Sequence, residues 1–135
     1  MANPFSWTRA TTRSRRPERA GRGHAAEDAA LAYLHRRGLV LIERNYRCPG
    51  GELDLVMRER ETLVFVEVRH RRHAGHGSAA ESIDARKRER LVRAATHYLQ
   101  RTRQTERRPA RFDVVALSGP LGRCRIDWIR NAFDA

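Results

Sequence analysis

The sequence predicts an α/β fold, a mixed sheet flanked by helices. The first observation is the order of the apolar patterns along the chain. They indicate an amphipathic helix, three strands, a second amphipathic helix and two more strands. The second is that each helix has one apolar face, which a sheet would bury. The third is length, because 135 residues suffice for one domain with a core. We therefore expect one domain over residues 23–135.

Residues 1–22 are predicted to form a disordered basic arm. They contain six arginines and a single acid, Glu18, without a sustained apolar period. Such an arm would add sequence-independent attraction to phosphates. A solvated tail without a role is the alternative.

The first helix is predicted over His24–Arg37. Apolar residues recur at steps of three and four, and Gly38 follows as a helix stop. Glu27 stands one turn before Leu31, at the border of the apolar stripe. It is therefore a candidate for an acid that points toward the sheet.

The next segments predict a strand and a hairpin. Leu39–Asn45 is a short apolar run, and residues 48–51 read Cys-Pro-Gly-Gly, which predicts a turn. Glu52–Met57 and Leu63–Val68 are β-rich runs separated by a charged turn. A turn around Arg60 would place Met57 near Leu63.

The second half of the chain predicts a loop, a long helix and two strands. His70–Ala79 is rich in His, Arg and Gly and has no period, which is typical of a mobile loop. Ser82 is the predicted N-cap of a helix with an apolar face that ends near Leu99. Arg111–Leu117 and Arg123–Ile129 are the predicted last strands.

Charge and composition narrow the function classes. The formal net charge is +12, which favours nucleic acid as a partner. Solubility alone is the alternative explanation, because arginine has replaced lysine throughout and Lys87 is the only lysine. Cys48 and Cys124 form no CxxC pair, so neither a zinc site nor a disulfide framework is indicated. With no membrane-spanning run or signal peptide, we expect a cytoplasmic protein without a membrane partner.

Two carboxylates indicate a metal site. Asp54 and Glu67 lie inside apolar strand segments, where acids are rare unless they are paired or bind metal. The hairpin would bring them together, and two close carboxylates require a proton or a cation. Mg²⁺ suits such a pair. The alternative is an exposed sheet face that alternates charged and apolar residues.

Several motifs together resemble a known family. They are Glu27, the block 51–55 (Gly-Glu-Leu-Asp-Leu), the block 65–68 (Phe-Val-Glu-Val), Lys87, the block 111–115 (Arg-Phe-Asp-Val-Val) and the block 131–133 (Asn-Ala-Phe). This pattern resembles the bacterial YraN-like family, which is similar to archaeal Holliday-junction resolvases. The resemblance implies a restriction-endonuclease-like fold of the PD-(D/E)xK type. It also implies a site with one helical acid, an Asp on one strand and Glu-x-Lys on the next.

The resemblance assigns a role to each matching position. It makes Glu27, Asp54, Glu67 and Arg69 the catalytic set, and it implies that Mg²⁺ or Mn²⁺ is held by Glu27, Asp54, Glu67 and the Val68 carbonyl. Arg69 departs from the motif, which has lysine there. Three explanations stay open: arginine is tolerated, the chemistry is weakened, or Lys87 takes over the role.

The sequence therefore predicts a metal-dependent endonuclease that hydrolyses phosphodiesters, with branched DNA as a candidate substrate. Arg47, Arg71, Arg72 and Lys87 are the predicted nucleic-acid contacts. The alternatives are a non-catalytic nucleic-acid-binding module with a degenerate site, and an accessory protein that binds an acidic partner. A homodimer is an expectation from the resemblance, because a junction has two-fold symmetry. Asp113 is predicted to form a structural salt bridge with an arginine such as Arg111.

Overall fold

The computed structural model describes residues 17–72, 83–103 and 108–134, with side chains from residue 24 onward. Within these residues, two helices and five strands follow in this order: α1 (Pro17–Arg36), β1 (Val40–Cys48), β2 (Gly51–Glu59), β3 (Thr62–Arg71), α2 (Ala85–Thr102), β4 (Ala110–Ser118) and β5 (Arg125–Phe133). The element order is the predicted one.

The five strands form one mixed sheet in the order β1-β2-β3-β4-β5. Neighbouring strands are antiparallel except β3 and β4, which are parallel. A parallel pair needs a crossover, and α2 supplies it. The predicted α/β class, a mixed sheet flanked by helices, is confirmed, and the architecture is consistent with a restriction-endonuclease-like fold.

The helices pack on opposite faces of the sheet. Along β3, Leu63 and Phe65 belong to a core cluster that includes α2 residues, whereas Val64 and Val66 belong to a cluster that includes α1 residues. We call these the α2-side and α1-side clusters. Tyr98 lies in the α2-side cluster, edge-on to Phe65 with ring centroids 5.9 Å apart, as expected for a core residue. Strand β3 is therefore covered on both faces.

The helix starts differ from the predicted ones. Helix α1 begins at Pro17, seven residues before His24, so the last six residues of the predicted arm are helical. Residues 1–16 of that arm lie outside the described residues. The prediction of Ser82 as N-cap is wrong, because the carboxylate of Asp84 accepts the Lys87 N–H at 2.9 Å and α2 begins at Ala85.

The first two residues of the predicted loop, His70 and Arg71, belong to a strand instead. His70 and Arg71 are the last residues of β3, where they pair with Leu117 and Ser118 of β4. Residues 73–79 of the predicted loop lie outside the described residues. Within the described part of the chain, neither helix has the length and apolar character needed to cross a membrane.

Candidate metal centre

The hairpin of β2 and β3 brings Asp54 and Glu67 to the first position beyond its last pair, Leu55 and Val66. The strands pair with Met57 opposite Val64 and Leu55 opposite Val66, one residue away from the predicted pairing of Met57 with Leu63. The next position along each strand holds Asp54 and Glu67. The observed register thus brings the two acids together more directly than the predicted one.

A kink in two neighbouring strands takes Asp54 out of the regular ladder. Asn45 of β1 has φ 53 and lies opposite Asp54, between the pairs Arg44–Leu55 and Tyr46–Leu53. Leu53 belongs to the α2-side cluster but Leu55 to the α1-side cluster, although residues two apart normally share a face. The alternation therefore shifts at Asp54.

The Asp54 carboxylate bonds to the next strand. Its Oδ2 accepts the backbone N–H of Val68 at 2.8 Å. Val68 directly follows Glu67, so this bond fixes the Asp54 carboxylate beside the backbone that carries the second acid. The predicted role of the Val68 carbonyl as a metal ligand stays a prediction.

Burial and like charge act together on Asp54. Desolvation raises the pKa of Asp54 well above its usual value, and repulsion from Glu67 and Glu27 raises this pKa further. The Val68 N–H and the Lys87 ammonium lower the pKa without reversing the shift. The charged group that acts most strongly on Asp54 is the Glu67 carboxylate, which repels it. A bound cation would relieve this repulsion.

Glu67 is buried, with 5% exposure, and two cations contact it. Lys87 Nζ lies 3.4 Å from Glu67 Oε2, and Arg69 Nη1 lies 3.5 Å from the same oxygen. The lysine comes from the first turn of α2 and the arginine from β3 itself. Two separate elements therefore bring positive charge to the same carboxylate oxygen.

Glu27 is buried against the sheet, as its place on the apolar stripe predicts. Arg44 Nη2 lies 3.4 Å from Glu27 Oε1. Burial raises the pKa of Glu27 more than Arg44 lowers it. Among the described residues, no three His, Cys, Asp or Glu side chains lie close enough to hold a metal together. The charge of Glu27 raises the pKa of Asp54, and the Asp54–Glu67 pair is the candidate metal centre. The predicted role of Glu27 as a third metal ligand stays a prediction.

The other buried acids are structural. Asp113 forms a two-pronged pair with Arg111, at 2.9 and 3.1 Å, and it accepts Trp128 Nε1 and the Asn131 N–H, both at 2.9 Å. This geometry confirms the predicted salt bridge. Glu43 is buried beside Arg101, with Nη2 and Oε1 3.6 Å apart. An arginine accompanies each of these acids, whereas Asp54 has a carboxylate as its strongest charged neighbour.

The predicted nucleic-acid contacts lie at the same end of the sheet as the acidic pair. Arg47 is near the end of β1, and Arg71 and Arg72 are at and just beyond the end of β3. All three are exposed. Since β2 runs antiparallel to both strands, these ends and the start of β2 meet beside Asp54.

Three residues that support the site were not assigned these roles from the sequence. Arg44 holds Glu27, Asn45 forms the kink opposite Asp54, and Asp84 caps the helix that carries Lys87. Asparagine tolerates positive φ better than most residues, so an Asn inside a strand is a weak signal for such a kink. No comparable pattern in the sequence indicated that Arg44 would pair with Glu27.

Comparison with known proteins identifies the family. A sequence model of the family described as "Uncharacterised protein family UPF0102" matches residues 26–117. The chain belongs to UPF0102. This confirms the resemblance to the YraN-like bacterial family, and the match covers Glu27, Asp54, Glu67, Arg69 and Lys87.

Relatives in UPF0102 are similar over most of the chain. A UPF0102 protein of Ectopseudomonas mendocina (strain ymp) is 57% identical over 113 residues, which cover 84% of this chain and 94% of the relative. One from Pseudomonas putida KT2440 is 56% identical over 119 residues, or 87% of this chain and 94% of the relative. One from Pseudomonas aeruginosa PAO1 is 52% identical over 116 residues, or 84% and 93%.

Proposed function

We propose that this UPF0102 protein is a divalent-metal-dependent nuclease that hydrolyses phosphodiester bonds in DNA. The observation that carries the proposal is the convergence of Asp54 and Glu67 at one end of the sheet, with Asp54 desolvated and repelled by Glu67. Branched DNA is the substrate class that the family resemblance suggests.

The donor atoms of the site fit a hard cation. Mg²⁺ in proteins is often held by one or two carboxylates, with water and substrate phosphate in its other positions. Asp54 and Glu67 would hold the ion, and the charge of Glu27, which acts on Asp54, would add to the negative potential at the site. When bound, Mg²⁺ or Mn²⁺ supplies positive charge to the phosphate and makes water a better nucleophile.

The protein's own residues orient and balance this centre. The Val68 N–H fixes the Asp54 carboxylate at 2.8 Å, and Lys87 and Arg69 offset the negative charge of Glu67. Exposed Arg47, Arg71 and Arg72 would attract the DNA backbone toward the same end of the sheet. The result is an acidic centre with a basic surround, which suits a metal that bridges protein and phosphate.

A non-catalytic nucleic-acid-binding module is the second candidate, and Arg69 favours it. The PD-(D/E)xK motif has lysine at this position, and a guanidinium holds its proton too tightly to serve as a base. Such a module would keep the basic surface and lose the chemistry.

Cleavage of labelled four-way junctions and linear duplexes, with Mg²⁺ or Mn²⁺, tests the proposal. Asp54→Asn and Glu67→Gln should each lower the rate more than about 100-fold, because even groups behind metal ligands cost 10–100-fold. Glu52→Gln is the matched control, since Glu52 is an exposed carboxylate on the same strand, 3.6 Å from Arg47. DNA binding without cleavage by the wild type would favour the binding module instead.

Two further proposals concern the location of the protein in the cell and its oligomeric state. Cys48 and Cys124 are both free thiols, in keeping with the proposed cytoplasmic location. The homodimer remains a proposal based on the family resemblance, and light scattering of the purified protein would test it.

A further inference from the structure

We infer that Lys87, reaching the site from α2, takes the place of the lysine that the motif has at position 69. The inference rests on the proposed function and assigns a positioning residue to the same site. Its geometric basis is that Lys87 Nζ lies 3.4 Å from Glu67 Oε2, so a lysine from α2 reaches the same carboxylate oxygen that Arg69 Nη1 approaches at 3.5 Å from β3. The lysine side chain is 29% exposed, so its contact with Glu67 is partly shielded from water.

The position of Lys87 is fixed by the packing of α2 on β2. Gly51, the first residue of β2, lies so close to α2 that a Cβ there would be 2.2 Å from the Arg90 carbonyl oxygen and 3.2 Å from Ala94 Cβ. Asp84 holds the helix start through its bond to the Lys87 N–H. Because β2 also carries Asp54 and pairs with β3, which carries Glu67, the packing of α2 on β2 places the first turn of the helix beside the acidic pair.

Apart from the Asp84 N-cap, the charges in the first turn of α2 are unfavourable for the helix. Its first turn contains Arg86, Lys87 and Arg88 and no acid. Cations repel the positive end of a helix dipole, which favours Asp or Glu in this turn. A local electrostatic cost that packing does not require is typical of a functional site. The ion pair with Glu67 offsets the unfavourable position of Lys87 at the positive end of the helix dipole.

The two cations on Glu67 differ in what they can do. A guanidinium is a planar fork that suits a pair of oxygens, whereas an ammonium is a compact charge with three donors. Lys87 can hold Glu67 with one N–H and present the others to water or phosphate. Arg69 keeps charge near the site from β3. In this protein the lysine at the site thus comes from α2, and Arg69 keeps a positive charge at the motif position on β3.

Relocating the lysine tests the inference. Lys87→Met should lower cleavage by about 10–100-fold, the range for groups that orient metal ligands. Adding Arg69→Lys to this variant should restore the rate to within about 5-fold of the wild type, because lysine returns to the motif position. Arg69→Met alone should have a smaller effect than Lys87→Met. Loss of cleavage that Arg69→Lys fails to restore would overturn the inference.

Calorimetric Mn²⁺ titration gives a readout that needs no cleavage. Lys87→Met removes a cation that competes with the metal for Glu67, so Mn²⁺ affinity should rise several-fold, roughly 3- to 10-fold. Arg86→Met is the matched control: it removes the same charge from the adjacent exposed position and should change affinity less than about 2-fold. Circular dichroism checks that each variant is folded.

The outcomes separate the inference from the proposed function. A wild type that binds Mn²⁺ but does not cleave DNA would end the nuclease proposal, and a rise in affinity specific to Lys87→Met would still support the placement of Lys87 at the site. Equal affinities in the wild type, Lys87→Met and Arg86→Met would overturn the inference even if the wild type cleaves. A wild type that binds no Mn²⁺ would overturn both.

Discussion

Glu59, at the end of β2, is held by arginines from two other strands. Arg111 Nη2 of β4 lies 2.8 Å from Glu59 Oε1, and Arg130 Nη2 of β5 lies 2.7 Å from the same oxygen. Burial alone would raise the pKa of Glu59, but hydrogen bonds and charge from Arg111 and Arg130 outweigh it and lower the pKa. This carboxylate is thus a structural counterpart to Asp54, whose pKa is raised.

Glu59→Gln is predicted to destabilise the fold at neutral pH. The pKa of Glu59 is lower in the folded state than its usual value of 4.5, so the charged form adds stability above pH 4.5 that is lost as pH falls through the folded pKa. The free energy of unfolding should fall by about 0.5–1.5 kcal/mol at pH 7, the range for a partly exposed charged pair. Urea unfolding from pH 7 down to pH 3.5 measures the difference.

The exposed residue Glu61, in the adjacent turn, provides the control for this prediction. Glu61→Gln should change stability by less than about 0.5 kcal/mol. A Glu59→Gln deficit that stays constant across the pH range would show that the lost stability does not come from the ionised carboxylate.

At the scale of elements, the contact between α2 and the start of β2 depends on one missing side chain. Gly51→Ala would place a methyl group 2.2 Å from the Arg90 carbonyl oxygen, so helix and strand would have to separate. Overpacking of this kind costs about 1–3 kcal/mol in free energy of unfolding. Urea unfolding of Gly51→Ala should show a loss in this range.

Gly122→Ala is a useful comparison for the Gly51 prediction. Gly122 has φ +97 with open space around it, so alanine there adds backbone strain without a steric clash. If the clash at Gly51 displaces α2, Mn²⁺ affinity should change in Gly51→Ala and stay constant in Gly122→Ala. Loss of stability in Gly51→Ala with unchanged Mn²⁺ affinity would mean that the displacement does not reach Lys87.

The elements themselves follow from local patterns, which explains why their order was predictable. The apolar spacing around Ala30 and Leu34 marks the face that α1 buries, and the structure has these residues in the α1-side cluster. The hairpin register was wrong by one residue because its two-residue connection, Arg60–Glu61, has Arg60 at φ 54. Without the Asn-Gly or Asp-Gly signal of such turns, the sequence does not reveal the turn position.

The site was predictable only in part, because local patterns are visible in the sequence and contacts between separate elements are not. Acids inside apolar strands identified Asp54 and Glu67, because burial of charge is costly wherever it occurs. The kink at Asn45 and the ion pair of Arg44 with Glu27 depend on how separate elements meet. Lys87 was one of several open explanations for Arg69, and its contact with Glu67 depends on how α2 meets the sheet, which the sequence does not reveal.

At the scale of the molecule, the net charge is +12, and arginines lie at both ends of the sheet. Exposed Arg47, Arg71 and Arg72 lie at the end of the sheet that holds Asp54, whereas Arg58 and Arg60 lie at the opposite end, near the β2–β3 turn. If net charge alone governed DNA binding, the two groups would contribute equally. If the site end is the interface, only the first group binds phosphates.

Salt dependence of DNA binding distinguishes these two cases. Changing Arg47, Arg71 and Arg72 together to Gln should lower affinity and reduce the slope of log K against log salt by up to about 3, close to 0.9 for each phosphate that is no longer neutralised. Arg36 ends α1 four residues before Val40, which pairs with Arg58, so it also belongs to the far end. Changing Arg36, Arg58 and Arg60 to Gln removes the same charge from that end and should leave the slope nearly unchanged. Fluorescence anisotropy of a labelled duplex in Ca²⁺ measures both slopes between about 50 and 200 mM salt, the range over which phosphate binding by cations weakens steeply. Equal slopes for the two triple variants would show that attraction to DNA is a property of the total charge and not of the surface around Asp54 and Glu67.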